Sequence, residues 1–176
     1  MNTCTDSTHS DLSRQPRIAV VLPCYNEALA IAKVVADFRR ALPNAWIYVF
    51  DNASSDGTSD IARAAGAIVV AEPKAGKGHV VRRAFAEVDA DIYVIADGDG
   101  TYDAARAPEM IECLQRDCLD MVVGVRINAG ANAYRRGHRL GNRMFNVMVG
   151  RLFGNRFTDI LSGYRVLSRR AVKSFP

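Results

Sequence analysis

From residue 18 to residue 125, short apolar runs alternate with longer segments of helical periodicity, and few architectures accept that rhythm. Ile18-Ala-Val-Val-Leu22, closed by Pro23, reads as a buried strand. Residues 27–42 carry Ala28, Ile31, Val34, Val35, Phe38 and Leu42 at helical spacing and stop at Pro43. Trp46-Ile-Tyr-Val-Phe50 predicts a second strand. Ser54 or Ser55 can cap a helix over roughly 57–65, ended by Gly66. Ala67-Ile-Val-Val-Ala71 predicts a third strand, followed by a helix over roughly 77–88. Ile92-Tyr-Val-Ile-Ala96 predicts the fourth, with a helix over roughly 105–117 and a fifth strand at Met121-Val-Val-Gly-Val125. Strands and helices at this spacing predict βαβ units: an α/β fold whose mostly parallel sheet is covered by helices on both faces. Ligands of such sheets bind beyond the carboxyl ends of the strands. The polar clusters of this chain fall at those ends: Pro23 to Glu27, Asp51 to Asp56, Asp97 to Asp99, and Arg126.

The sharpest of these clusters closes the fourth strand as Asp97-Gly98-Asp99. Two carboxylates one residue apart at a strand end can converge on one hard cation, and Gly98 leaves room for a phosphate to approach the backbone. Oxygen ligands suit Mg²⁺ or Mn²⁺, and Mg²⁺ completes its shell with water and substrate phosphates. An ion bridging a nucleotide's diphosphate fits this arrangement. Taken alone, the same three residues also describe an ordinary turn, since Asp and Gly dominate turns.

A chain of 176 residues is the size of one domain with one substantial core. Residues 17–176 read as that domain, with an opening C-terminal helix at 168–176 that suggests continuation into a longer protein. Residues 1–16 are polar and lack an apolar core, so a disordered lead-in is expected there and not a signal peptide. No run approaches the ~18 consecutive apolar residues of a membrane span. Cys4, Cys24, Cys113 and Cys118 lack CxxC spacing and read as reduced thiols of a cytosolic protein. Charge is uneven: residues 1–133 hold 13 Lys/Arg against 18 Asp/Glu, whereas 134–176 hold 10 against Asp159 alone. One end of the chain is built to meet anions.

The common nucleotide motifs are missing. Where a dinucleotide fold needs G-x-G-x-x-G after the first strand, this chain has Pro23-Cys-Tyr-Asn-Glu27. There is no Walker loop, no G-x-S-x-G elbow, and His9, His79 and His138 lie too far apart for zinc spacing. A nucleotidyltransferase would carry a glycine-rich basic loop after its first strand, which is also lacking. Nothing in the chain marks a nucleic acid as its partner.

Read in order, Pro23-Cys-Tyr-Asn-Glu27, Asp51-Asn-Ala-Ser-Ser-Asp-Gly-Thr58, Lys74-Ala-Gly-Lys-Gly78, Asp97-Gly-Asp99, Gly124-Val-Arg126 and Asp159-Ile-Leu-Ser-Gly-Tyr-Arg165 resemble the family 2 inverting glycosyltransferases. The likeness runs from residue 17 to 176 and is nearest the polyprenyl-phosphate, dolichol-phosphate mannose synthase-like branch. It implies a GT-A (nucleotide-diphospho-sugar transferase) fold, a GDP- or UDP-hexose donor, a divalent metal (Mg²⁺ or Mn²⁺), and a dolichyl or undecaprenyl phosphate acceptor. The implied site is peripheral on the cytoplasmic face of the membrane, in a monomer or a homo-oligomer. By the same resemblance Pro23, Tyr25 and Glu27 border the base and ribose, and Asp51 holds one of them. Lys77 and Gly78 close on the nucleotide, and Asp97, Gly98 and Asp99 carry the metal-bound diphosphate. Arg126, Arg135 and Arg139 hold the acceptor phosphate. Asn52 stands where many relatives have Asp, a change expected to matter little beside Asp51. Thr101 stands where some have a metal-binding Gln.

Guanidinium forks match phosphate oxygens and stay charged when partly desolvated, which suits an arginine cluster to a lipid phosphate. Between Arg139 and Phe153, a broad apolar arc (Leu140, Met144, Phe145, Met148, Leu152) lies beside basic residues. By periodicity alone that pattern fits a helix in a membrane interface and equally a helix packed on its own domain, and the surrounding arginines favour the membrane, whose anionic lipids attract each nearby cation. A phosphate monoester is already anionic at neutral pH. Asp159 is therefore expected to orient groups around such an acceptor; for a saccharide hydroxyl in polysaccharide synthesis it becomes the leading base. A catalytically silent nucleotide-binding fragment is the remaining alternative.

Overall fold

The computed structural model describes residues 15–124 and 162–174. Their core is one sheet of six strands in the order β3-β2-β1-β4-β6-β5. These are β1 (Ile18–Cys24), β2 (Trp46–Asp51), β3 (Ile68–Ala71), β4 (Ile92–Ile95), β5 (Met121–Val123) and β6 (Arg165–Ser168). The first four pair in parallel, while β6 runs antiparallel between β4 and β5. The mostly parallel sheet is as the alternation predicts. Strand β6 was not foreseen, because Val166 and Leu167 are its only apolar residues and two residues carry no readable period.

Alternation along the strands divides the core into two layers. Val20, Leu22, Ile47, Val49, Val94 and Val166 pack beneath α1 (Ile31–Ala41), α2 (Thr58–Ala64) and α4 (Ala107–Arg116). Ala19, Val21, Phe50, Tyr93, Ile95 and Leu167 face α3 (Lys77–Glu87) and α5 (Arg169–Ser174). Helices therefore cover both faces. Among the described residues, no helix is long and apolar enough to cross a membrane.

The structure moves two expected boundaries. Helix α1 starts at Ile31, not at residue 27, because the amides of Asn26, Glu27 and Ala28 donate to Ser54 Oγ, Thr58 Oγ1 and Asp56 Oδ2 at 2.9, 2.8 and 3.0 Å. With Ser54 taken by that contact, neither it nor Ser55 caps α2. The helix begins after Gly57, whose φ of 87° needs a glycine, and Asp56 Oδ1 accepts the Thr58 amide at 3.0 Å.

An ion-pair network ties the amino ends of β1 and β4. The Arg17 amide donates to Asp91 at 2.8 Å, and its guanidinium reaches Asp91 and Asp89. Arg169 at the head of α5 pairs with the same two carboxylates. The Arg17 side-chain hydrogen bond, against a smaller opposing effect of burial, holds the Asp91 carboxyl below its ordinary value. A depressed carboxyl stabilises the fold fully above its unfolded value of about 3.9, and that contribution fades as pH falls through the lower folded value. Asp91→Asn is therefore expected to flatten the fall of the thermal midpoint below about pH 4, read by calorimetry across an acid series.

Candidate active site

The carboxyl ends of β1, β2, β3 and β4 bring four loops together. Register sets Cys24 beside Asp51, and the Asn52 amide donates to Cys24 O at 2.9 Å, so the first two loops leave the sheet side by side. Asp51 is 6% exposed, yet it accepts the Ser54 amide at 2.9 Å and the Ser59 hydroxyl. Burial pushes its carboxyl up, but these hydrogen bonds outweigh burial and hold it below its ordinary value. It is anionic where a donor's base or ribose is expected. Pro23 lies within β1 in register with Phe50, and the Tyr25 ring, 63% exposed, stands open at the mouth.

Glu27 shares this rim. Burial first, then the charges of Asp99, Asp56 and Asp97, push its carboxyl up. Burial, followed by Glu27, Asp51, Asp97 and Asp99, pushes the Cys24 thiol up to about 12, leaving it a protonated packing group. Behind the burial, both groups feel the negative charge of the carboxylates gathered at the strand ends, to which a cation would be drawn.

The third loop brings in the cations. Asn52, buried at 9% exposure, donates its amide hydrogens to Glu72 O at 3.0 Å and Lys74 O at 2.7 Å. Its Oδ1 accepts the Gly76 amide at 2.8 Å. The Asn52 side chain thus clamps the loop that delivers Lys77 and Gly78 to the first turn of α3. This corrects the expectation that Asn52 matters little, since a carboxylate could not donate to two carbonyls. No side chain caps α3 and no acidic residue sits in its first turn, so its N-terminus favours an anion. The Lys77 ammonium ion-pairs with Asp97 Oδ1.

The fourth loop follows β4. Asp99 Oδ1 accepts the Thr101 amide at 2.9 Å and hydroxyl at 2.7 Å, so Thr101 braces Asp99. Gly163 backs the other carboxylate: a methyl group there would stand 2.6 Å from Asp97 Oδ2. The Gly163 amide donates to the Tyr102 hydroxyl at 2.7 Å, and the Ser162 hydroxyl donates to Gly124 O at 2.6 Å. Tyr102 and Tyr164 pack ring to ring at 5.3 Å. The Ser162-Gly-Tyr164 segment is thereby the wall behind the Asp97–Asp99 turn.

The two carboxylates are donors of the kind a hard divalent cation takes. Each carboxylate engages one oxygen, leaving Asp97 Oδ2 and Asp99 Oδ2 without a hydrogen-bond donor among the described residues. No group of three His, Cys, Asp or Glu side chains that could hold a metal occurs among those residues. Two carboxylates then supply part of a shell that diphosphate oxygens and water complete.

The structure therefore brings together Pro23, Tyr25, Glu27, Asp51, Lys77, Gly78, Asp97, Gly98 and Asp99. Arg126, Arg135, Arg139, Asp159 and the 139–153 segment lie outside the described residues. Sequence reasoning missed Asn52, Asp56, Thr58, Tyr102 and Gly163 as supports. The quoted motifs held all but Tyr102, but gave the supports no role.

A family model described as glycosyl transferase family 2 matches residues 19–175. Protein RfbJ of Shigella flexneri is 59% identical over 121 residues, 68% of this chain and 94% of its own length. A dolichyl-phosphate hexose transferase of Haloferax volcanii is 34% identical over 165 residues, 94% of this chain and 69% of its own. A solved structure of glucosyl-3-phosphoglycerate synthase from Mycobacterium tuberculosis, in complex with Mn²⁺ and uridine-diphosphate-glucose, superposes with a TM-score of 0.74. It is 25% identical, and the match covers 92% of this chain and 59% of that one. The chain spans about half or less of several other curated relatives. The fold is thus GT-A-like.

Proposed function

The chain belongs to glycosyl transferase family 2, and we propose that it transfers a hexose from a GDP- or UDP-sugar to a polyprenyl phosphate, inverting the anomeric centre, at the cytoplasmic face of the membrane. The observation that carries the donor half is the meeting of Asp51, Asp97, Asp99 and the Lys77 ammonium at the strand ends. Asp51, buried and anionic, accepts hydrogen bonds from the base or ribose. Tyr25 offers its exposed face to the base. The uncapped N-terminus of α3 and Lys77 meet the diphosphate, with Lys77 exchanging Asp97 for phosphate oxygens as the donor enters.

Asp97 Oδ2 and Asp99 Oδ2 would hold Mg²⁺ or Mn²⁺; when bound, the ion neutralises charge on the departing diphosphate. Thr101 and Gly163 keep those two oxygens in place. The Mn²⁺ and uridine-diphosphate-glucose bound to the superposable synthase support this donor chemistry. The acceptor half rests on the basic composition of residues 134–176 and on the dolichyl-phosphate hexose transferase among the relatives. Arg126, Arg135 and Arg139 hold the lipid phosphate, whose oxygen attacks the anomeric carbon opposite the departing diphosphate. Because that oxygen is already anionic, Asp159 orients the arginine groups around the acceptor and removes no proton.

The test is transfer of radiolabelled sugar from a panel of GDP- and UDP-hexoses to a short polyprenyl phosphate, alongside saccharide acceptors, with Mn²⁺ and with EDTA. Metal-dependent label in the lipid phase is expected. Label confined to a saccharide would sink the lipid acceptor and make Asp159 the general base.

A further inference from the structure

Gly98 lies between the two carboxylates, where a glycine is easily credited to the approach of a phosphate. Its backbone gives no such reason, since its φ lies outside the left-handed region that favours glycine. The obstacle is on the protein side. A methyl group at position 98 would stand 2.3 Å from Cys24 Sγ, far inside contact distance. Its next neighbours would be Ile31 Cδ1 at 3.5 Å and Cys24 Cβ at 3.6 Å, both ordinary contacts. One sulfur atom therefore excludes a side chain from the turn.

That sulfur belongs to a buried residue of the sheet. Cys24 ends β1, which lies between β2 and β4, and it is 3% exposed. Its carbonyl is held by the Asn52 amide at 2.9 Å, and its thiol points back toward Leu22 O at 3.5 Å. The Ala96 amide, just before the turn, donates to Val21 O at 3.2 Å, so the two strand ends approach as a fixed pair. We propose that Cys24 is a positioning residue for the reaction: its sulfur is the floor on which the Asp97-Gly98-Asp99 turn rests, and Gly98 is required by that contact and not by the ligand. This rests on Asp97 and Asp99 serving the donor diphosphate as proposed above. A smaller residue at 24 then licenses a larger one at 98, with alanine at both positions refilling the same space.

The test is a double-mutant cycle of Cys24→Ala and Gly98→Ala on the full chain. It reads the ligand-free thermal midpoint, the affinity for UDP and GDP with Mn²⁺, the Mn²⁺ paramagnetic spectrum, and donor KM against kcat. Gly98→Ala alone is expected to weaken Mn²⁺–nucleotide binding about tenfold or more, the scale of an overpacked contact. Cys24→Ala alone leaves the turn unsupported, broadening the Mn²⁺ spectrum and raising donor KM a few-fold. The double variant is expected to recover the wild-type spectrum and bind within about threefold of wild type, well inside the single-variant loss. If Gly98→Ala does not accumulate folded, a folded double variant carries the same support, and an unfolded one overturns the proposal. A double variant that recovers its midpoint yet binds as weakly as Gly98→Ala also overturns it, because the ligand then claims the space at 98. If wild type binds neither nucleotide, the donor reading fails, while the ligand-free midpoints still decide whether Cys24 and Gly98 are coupled.

Discussion

Asp99→Asn is expected to lower sugar transfer by about 10²–10³-fold while leaving the fold intact. Asp99 Oδ1 is occupied by the Thr101 amide and hydroxyl, and an asparagine oxygen can accept both. The turn after β4 should therefore keep its shape, and the thermal midpoint should change little. What is lost is the charge at Oδ2, the atom that takes no hydrogen bond among the described residues. A neutral amide there is a poorer ligand for a hard cation and places N–H groups where the ion would sit. The check is kcat/KM across a Mn²⁺ titration beside a melting curve. Unchanged kcat/KM would remove Asp99 from the chemistry.

Asn52→Asp is the other large effect, and it acts through the fold to the site. The native amide gives two hydrogen bonds to the carbonyls of Glu72 and Lys74 and receives one from Gly76. A carboxylate keeps the Gly76 contact but turns an anionic oxygen on two carbonyls, beside the buried carboxylates of Asp51 and Glu72. Leaving the buried Glu72 carbonyl and the half-buried Lys74 carbonyl unpaired beside a new charge is expected to cost about 3 kcal/mol of stability. Release of residues 72–76 also frees Lys77, so donor KM should rise about tenfold, the equivalent of one lost charge-assisted contact. Urea unfolding and donor saturation curves measure the two. Asn52→Ala should lie between wild type and Asn52→Asp in stability, since it removes the donors without adding a charge.

The parts of this molecule that were legible in its sequence are those carried by period. Strands β1, β2 and β4 are runs of adjacent apolar residues buried on both faces, and the apolar face of α1 repeats every three to four residues, so length and spacing declared them. Strand β6 was hidden because pairing with β4 and β5, not its own composition, makes Arg165–Ser168 extended. The start of α1 and the cap of α2 were misread together, for Ser54, Asp56 and Thr58 spend their oxygens on the first loop. Only the adjacency of β1 and β2 reveals that.

At the site, the carboxylates were legible because Asp97 and Asp99 stand one residue apart at the end of an apolar run. Their supports were not. Cys24 and Gly98 are 74 positions apart in numbering, and nothing in Pro23-Cys-Tyr-Asn-Glu27 says that the sulfur will lie under the turn. Asn52 reads as a neutral variant of an acidic position until its side chain is seen bridging three backbone groups. Gly163 was part of a quoted motif, but its contact with Asp97 depends on β6 lying beside β4.

The most direct measurement of the central claim is calorimetric titration of UDP-glucose and GDP-mannose into the chain, first with Mn²⁺ and then with EDTA. Binding of one donor in Mn²⁺, lost in EDTA and in Asp99→Asn, is the predicted result. Equal binding with and without metal, or none of either donor while the protein remains folded, would contradict the assignment of the strand-end carboxylates to a metal-bound donor diphosphate.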